Sequence, residues 1–235
     1  GLSISPDLDT ITYTLGGAID PVRGWGLRDE TWRAMGALQR FIAHRPHGSS
    51  AAPTWFNLGD QDLATHFYRT ARLREGATLT DVTAEIAQAF DVGVRLLPMS
   101  DEAVETRVTV RDADAEREVS FQEYFVQRQH GVPVTAVRFA GAERARLTDA
   151  AHRAVRDADT IVVAPSNPLV SIGPLRALAG VDDLLRDRRD RVVAISPIIG
   201  GAALKGPADR MLVELGHEAS VVGVARLYAD IASAL

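Results

Sequence analysis

Two short apolar runs constrain what this chain can fold into. One is Ile161, Val162, Val163 and Ala164; the other is Val192, Val193, Ala194 and Ile195. The first stops at Pro165-Ser166-Asn167-Pro168 and the second at Ser196-Pro197, and a helical segment follows each. Short β-branched runs separated by helical stretches argue for βαβ units and a parallel sheet. Ligands of such sheets bind beyond the carboxyl ends of the strands, where both polar turns fall. Ser166, Asn167, Ser171 and Gly173 mark the first turn; Ser196, Gly200, Gly201 and Gly206 mark the second, with Lys205 beside them. Small residues let backbone N–H groups approach an anion at a helix N-terminus, which makes the two turns a candidate phosphate or nucleotide site. Turn formation alone explains the same residues. Neither turn is a Walker A loop or a G-x-G-x-x-G fingerprint.

The chain in order carries further candidates. Asp7 and Asp9 flank Leu8 behind Pro6, as a Mg²⁺-type carboxylate pair or as helix-capping residues. Positions 10–15 read as a short helix ended by Gly16-Gly17. Trp25, between glycines, can stack on a flat heterocycle or pack over a core edge. A helix from 28 or 29 is expected to bury Trp32, Met35, Leu38, Phe41 and Ile42. His44 and His47 lie in the polar loop 44–54. Next comes a helix opened by Asp60, Gln61 and Asp62, with Leu63, Phe67 and Leu73 as its apolar side. Asp62 and His66 stand one turn apart on it, so His66 is a structural or a ligand-binding histidine.

A cap at 79–81 opens a helix with the stripe Val82, Ile86, Phe90. The segment 94–99 reads as a strand, 105–121 as a β-hairpin, 122–129 as a helix and 134–139 as a strand. A strand or turn at 217–222 and a helix over 224–235 close the chain. The expected architecture is one α/β domain, 1–235, with an insertion at 75–150. At 235 residues the chain can bury a sizeable core. Its net charge of -5 gives no support to general nucleic-acid binding. Without cysteine it has no disulfide, thiolate metal site or cysteine nucleophile. No apolar run approaches the ~18 residues of a membrane span, and no signal-peptide pattern opens the chain, so the expected location is the cytoplasm. The residues alone read as a phosphate-binding α/β protein with a candidate Mg²⁺ ligand.

The blocks SPDLDT (5–10), RGWG (23–26), LGDQDLATH (58–66), LLPMSDE (96–102), FQEYFV (121–126), APSNPLVSIGPL (164–175) and SPIIGGAALKGPADRM (196–211) together resemble the 2-phospho-L-lactate transferase family of coenzyme F-420 biosynthesis. That resemblance implies a Mg²⁺-dependent enzyme. It would move a phospholactyl or phosphoenolpyruvyl group from a guanosine diphosphate-linked donor to the terminal hydroxyl of the deazaflavin Fo, releasing GMP. It implies a Rossmann-like parallel sheet core with helices on both faces, an inserted α+β part that binds Fo, and a homodimer. Asp9 is implied as the catalytic and metal-binding residue. Asn57, Asp60, Thr65, His66 and Trp25 are implied on the acceptor side, and Ser166, Asn167, Ser171, Gly173, Ser196 and Gly200 around the nucleotide and its phosphates. Family members begin with a strand, a glycine-rich loop and a second strand ending in an Asp-rich turn, all ahead of the SPDLDT block, and they continue past the equivalent of Leu235. The alternative expectation is a non-catalytic regulator that binds a nucleotide or nucleotide-sugar on a related fold.

Overall fold

A computed structural model of the chain describes residues 2–49, 51, 55–112, 115–204 and 206–235. Lys205 and the loop residues Ser50 and 52–54 lie outside the described residues. The chain divides into two compact units, Gly1–Pro98 and Met99–Leu235. The division falls inside the 75–150 segment read from sequence as an insertion.

The first unit is helical. Helix α1 (Pro6–Leu15) starts on a proline, whose fixed φ suits a first helical position. Asp7 is therefore inside the first turn, and the cap position belongs to Ser5. The helix stops at Gly16, where an added Cβ would come within 2.5 Å of the Phe90 carbonyl oxygen. Helix α2 (Arg33–Ile42) begins later than the sequence suggested, because Asp29 takes φ 58° and no helix runs through that conformation. Of its expected core side only Met35 is fully buried, and Phe41 is 65% exposed. Helices α3 (Asp60–Arg74) and α4 (Leu79–Ala89) complete the unit. The cap of α4 is Thr78 rather than a residue of 79–81, in a reciprocal capping box with Asp81. Val82 and Ile86 are buried as the periodicity requires, and Phe90 packs on Tyr13 with ring centroids 5.0 Å apart. The expected strand at 94–99 does not form. Val94 is 60% exposed, and no described strand pairs with the segment.

The second unit holds the sheets. Strands β1 (Glu105–Asp112), β2 (Ala115–Ser120) and β3 (Val134–Ala140) form an antiparallel sheet in the order β2-β1-β3. Val108 faces Val119 on one side and Val137 on the other, and Val108, Val110, Val119 and Val134 bury one face. A single wide π-helical turn (Glu123–Gln127) replaces the helix expected at 122–129. Helix α5 (Asp149–Asp157) leads to β4 (Ile161–Val163). A π-helical turn (Pro168–Ile172), α6 (Gly173–Arg176) and α7 (Val181–Asp187) then cross over to β5 (Val192–Ala194). β4 and β5 pair in parallel, Ile161 with Val192 and Val163 with Ala194, as the two apolar runs demanded.

The chain is thus α/β. Of the expected parallel sheet, the described residues contain this one pair, extended where Ala234 bridges Val193. After β5 the chain does not enter a helix directly. It forms a hairpin, β6 (Ile198–Ile199) and β7 (Ala202–Ala203), whose two-residue turn is Gly200-Gly201 at φ 61° and 85°. Both central residues of such a turn need positive φ, which glycine supplies without strain. Helix α8 (Ala208–Glu214) follows. The segment 217–222 is a turn ending in Ser220, which caps helix α9 (Val221–Tyr228) through the Gly223 N–H. That helix starts before position 224 and ends well short of Leu235.

Candidate functional site

In the first unit, polar residues occupy the inside of two helices. On α3, Asp62, Thr65, His66, Arg69 and Thr70 are buried at the spacing i, i+3, i+4, i+7, i+8, while Phe67 is 60% and Tyr68 46% exposed. On α1, Asp9, Thr12 and Tyr13 are buried at i, i+3, i+4. These two polar stripes meet, the reverse of the expected apolar side Leu63, Phe67, Leu73, of which only Leu63 is buried.

Arg69 is the hub. It is 2% exposed and donates to both Asp9 carboxylate oxygens, through Nη1 at 3.2 Å to Oδ2 and through Nη2 to Oδ1. The same Nη1 lies 3.1 Å from His66 Nδ1 and 3.4 Å from the Ser3 carbonyl oxygen. His66 Nε2 faces Asp62 Oδ1 at 3.4 Å, and this buried nitrogen has no hydrogen-bond partner among the described residues. Asp62 Oδ1 accepts from the Tyr13 hydroxyl at 2.7 Å. Tyr13 has one proton to give and a carboxylate can only accept, so the Thr65 hydroxyl, 2.8 Å away, donates to Tyr13.

Burial and pairing set the charges. Burial pushes the Asp9 carboxyl above the usual carboxylate range, against the pull of Arg69. Burial also acts on Asp62, but His66, Tyr13 and Arg69 outweigh it and hold that carboxyl low. Burial and the neighbouring Asp62 charge push the Tyr13 hydroxyl up, so it stays a donor.

One ligand atom each from Asp9, Asp62 and His66 lies within 4.8 Å of the others. Two carboxylates and an imidazole suit a divalent cation. Each Asp9 oxygen keeps a lone pair beyond the one given to Arg69, so the two carboxylates fit Mg²⁺, while His66 is already engaged by Arg69 through Nδ1.

The LGD stretch has a structural account of its own. Glu30, whose side chain is fully buried, accepts from the Asp62 N–H at 3.3 Å and so caps α3, whose cap residue Gly59 has no side chain. In return Asp60 accepts from the Thr31 hydroxyl and from the N–H groups of Arg33 at 3.2 Å and Ala34 at 3.0 Å, which caps α2. The Thr31 hydroxyl first, then the Ala34 N–H, hold the Asp60 carboxyl below its ordinary value. A Cβ at position 59 would sit 1.8 Å from the Glu30 carboxylate, so any other residue there must push that buried side chain aside.

Glu30 also accepts from Arg23 at 3.0 Å. The Arg23 guanidinium lies 5.1 Å from the Trp25 ring centroid and 5.0 Å from that of Trp32, and the two indoles meet edge to face at 5.9 Å. Trp25 is 43% exposed, so this cation–aromatic stack presents a ring to solvent. Asn57 is exposed. The structure therefore joins Asp9, Thr65 and His66 in one network, places Asp60 and Trp25 on its margin, and leaves Asn57 apart. The sequence reading missed Tyr13 and Glu30, whereas Arg69, readable as a basic residue that pairs with nearby acids, does pair with Asp9 on the buried side of α3.

In the second unit the two turns follow adjacent parallel strands, as expected, but their side chains are largely used locally. Asn167 Oδ1 accepts from Leu169 N at 2.9 Å and Val170 N at 3.3 Å. The Ser196 hydroxyl is bonded to its own turn at Ile198. A Cβ on Gly173 would come within 2.8 Å of the Phe139 ring, so this glycine serves close packing. Gly200 forms the hairpin turn. Ser166 is half-buried and Ser171 exposed, and no hydrogen bond engages either side chain among the described residues.

The family described as 2-phospho-L-lactate transferase CofD matches residues 1–232. The chain belongs to this family. Among its relatives, the phosphoenolpyruvate transferase of Mycobacterium avium (strain 104) is 45% identical over 230 residues, covering 97% of this chain and 66% of that protein. Those of Mycobacterium leprae and Mycobacterium tuberculosis are 44% and 43% identical, each covering 97% of this chain and 67% of theirs. This CofD-family chain thus spans about two thirds of the length of the curated relatives it matches. Among solved structures, a UPF0052-family protein of Bacillus halodurans aligns at 14% identity with a TM-score of 0.48, covering 78% of this chain and 51% of that one. No described helix of the chain is long and apolar enough to cross a membrane.

Proposed function

We propose that this chain transfers a phosphoenolpyruvyl group from a guanosine diphosphate-linked donor to the terminal hydroxyl of the deazaflavin Fo and releases GMP. The observation that carries the reading is the CofD-family match over residues 1–232, joined to mycobacterial relatives that bear the name phosphoenolpyruvate transferase. In this reaction the acceptor oxygen bonds to the phosphorus bearing the enolpyruvyl group. The bond from that phosphorus to the oxygen bridging to the GMP phosphate breaks, and the hydroxyl proton passes to a base. Such transfer depends on positioning and charge neutralisation more than on covalent catalysis.

Asp9 is the base in this reading, since burial raises its proton affinity towards the range a general base needs. Asp9 and Asp62 are the residues that would hold Mg²⁺, which when bound neutralises developing negative charge. The Trp25 ring offers a face to the flat deazaflavin, and Ser166, Ser171 and the hairpin at Gly200 serve the nucleotide phosphates. The β4–β5 pair is read as part of a Rossmann-like parallel core. The homodimer rests on the family resemblance, and the cytoplasm on the sequence expectation alone.

The test is Fo fluorescence titrated with this chain, with and without GDP and Mg²⁺, followed by GMP release from enolpyruvyl- and lactyl-diphosphoguanosine donors. The reading expects binding sensitive to both additions and faster release with the enolpyruvyl donor. A folded chain that binds a nucleotide-sugar but not Fo would replace it with the regulator.

A further inference from the structure

We propose that Arg69 is a positioning residue: it fixes the orientation of Asp9 and the tautomer of His66 together. The inference deepens the proposed function and rests on it only where Asp9 acts in the transfer.

The geometry leaves little choice of proton positions. An arginine guanidinium has donors and no acceptor, so the 3.1 Å contact with His66 requires Nδ1 to accept. The other neighbour of Nδ1, Asp9 Oδ2, is 3.6 Å away, beyond the length of an N–H···O bond. In the neutral ring the proton therefore sits on Nε2, the buried nitrogen that faces Asp62 without a completed hydrogen bond. The same guanidinium holds both oxygens of Asp9, which leaves that carboxylate one orientation. Nη1 is shared among Asp9 Oδ2, His66 Nδ1 and the Ser3 carbonyl while Nη2 holds Asp9 Oδ1, so the planar fork grips both Asp9 oxygens and His66 together. A lysine ammonium is a single point without that fork. Arg69 thus acts on chemistry through two neighbours and needs no contact with substrate.

The test has an arm without turnover. Nitrogen-15 shifts of the His66 ring, recorded across a pH series, distinguish the protonated ring from each neutral tautomer and so read the tautomer directly. In the unaltered chain the proton is expected on Nε2. In Arg69→Lys and Arg69→Gln, each checked for fold by circular dichroism, the single tautomer is expected to be lost. GMP release in the presence of Fo is expected to fall by about 10²-fold in kcat, the cost of a misplaced reacting group, with the KM for Fo moving far less. Arg69→Lys is expected to recover none of the tautomer and only a small part of the rate.

A proton on Nδ1 in the unaltered chain overturns the proposal. So does a folded variant whose His66 shifts and kcat are unchanged, which would leave Arg69 a purely structural ion-pair partner. If neither variant folds, the tautomer in the unaltered chain decides. If the unaltered chain neither binds Fo nor releases GMP, the transferase reading falls, and the ring shifts still decide what Arg69 holds.

Discussion

Arg69 and Asp9 are 2% and 5% exposed as side chains, so their pairing differs in kind from the ion pairs on the surface of this chain. Exposed pairs such as Arg111–Glu116 are screened by water and contribute little. A buried pair offers modest net gain when whole, but removing one partner strands the other charge in a poor solvent. Arg69→Met is therefore expected to cost about 3–5 kcal/mol, and the double variant Asp9→Asn/Arg69→Met distinctly less. Urea unfolding of the two singles and the double closes the cycle, and additive losses would deny the coupling.

Tyr228 poses the opposite case in the second unit. Its hydroxyl is buried with no hydrogen-bond partner among the described residues, and burial pushes its pKa up from 10.0 to about 12. The folded state thus holds the proton more tightly than the unfolded state. The stability this lends is whole below pH 10 and is lost as pH rises from 10 towards about 12. Tyr228→Phe removes an unsatisfied polar group and is expected to raise stability by about 1 kcal/mol near neutrality. It should also flatten part of the alkaline fall in melting temperature. A variant that melts lower at neutral pH would show that the hydroxyl has a partner.

At the scale of the element, the legible parts were those with a local cause. The runs at 161–164 and 192–195 became β4 and β5, and the alternating segments near 105 and 118 became β1 and β2, because strand periodicity and burial coincide there. The start of α2 was not legible, since nothing local announces that Asp29 will turn left-handed or that the cap will come from Asp60. The buried side of α3 was misread for a related reason. Its 3.6-residue period is carried by Asp62, Thr65, His66, Arg69 and Thr70, while the reading followed apolar side chains alone.

The exchange of caps between Glu30 and Asp60 gives the LGD stretch a test. Asp60→Ala removes the acceptor of two α2 N–H groups and is expected to cost about 1–2 kcal/mol, with Asp60→Asn close to the unaltered chain. Gly59→Ala should cost more than its small size suggests. Its Cβ must displace the Glu30 carboxylate, which also holds Arg23 and the Leu27 N–H. Thermal melts of the three variants give the order. Asp60→Ala at full stability would mean that the α2 N–H groups find other acceptors.

At the scale of the whole molecule, the two units are built on different interiors. The second has two apolar clusters, one around Val192, Leu212, Val224 and Ile231 and one around Val108, Val110, Tyr124 and Met211. The first buries fewer apolar side chains, among them Tyr13, Leu63, Val82 and Ile86, and fills much of its inside with the Asp9–Arg69–His66–Asp62 network. Apolar burial is the dominant favourable term in folding, whereas buried charges return little net free energy once their desolvation is counted. Sequence composition averages over both interiors, so it could not show this asymmetry. The first unit should therefore open at lower denaturant than the second. Hydrogen exchange followed by mass spectrometry along a urea series is expected to lose protection in α1, α3 and α4 first, with β1, β3 and β5 protected to higher urea. The order should sharpen in Arg69→Met, because the loss falls on the first unit alone. Protection lost everywhere at one urea concentration, in the unaltered chain and in the variant alike, would mean that the units unfold as a single cooperative body.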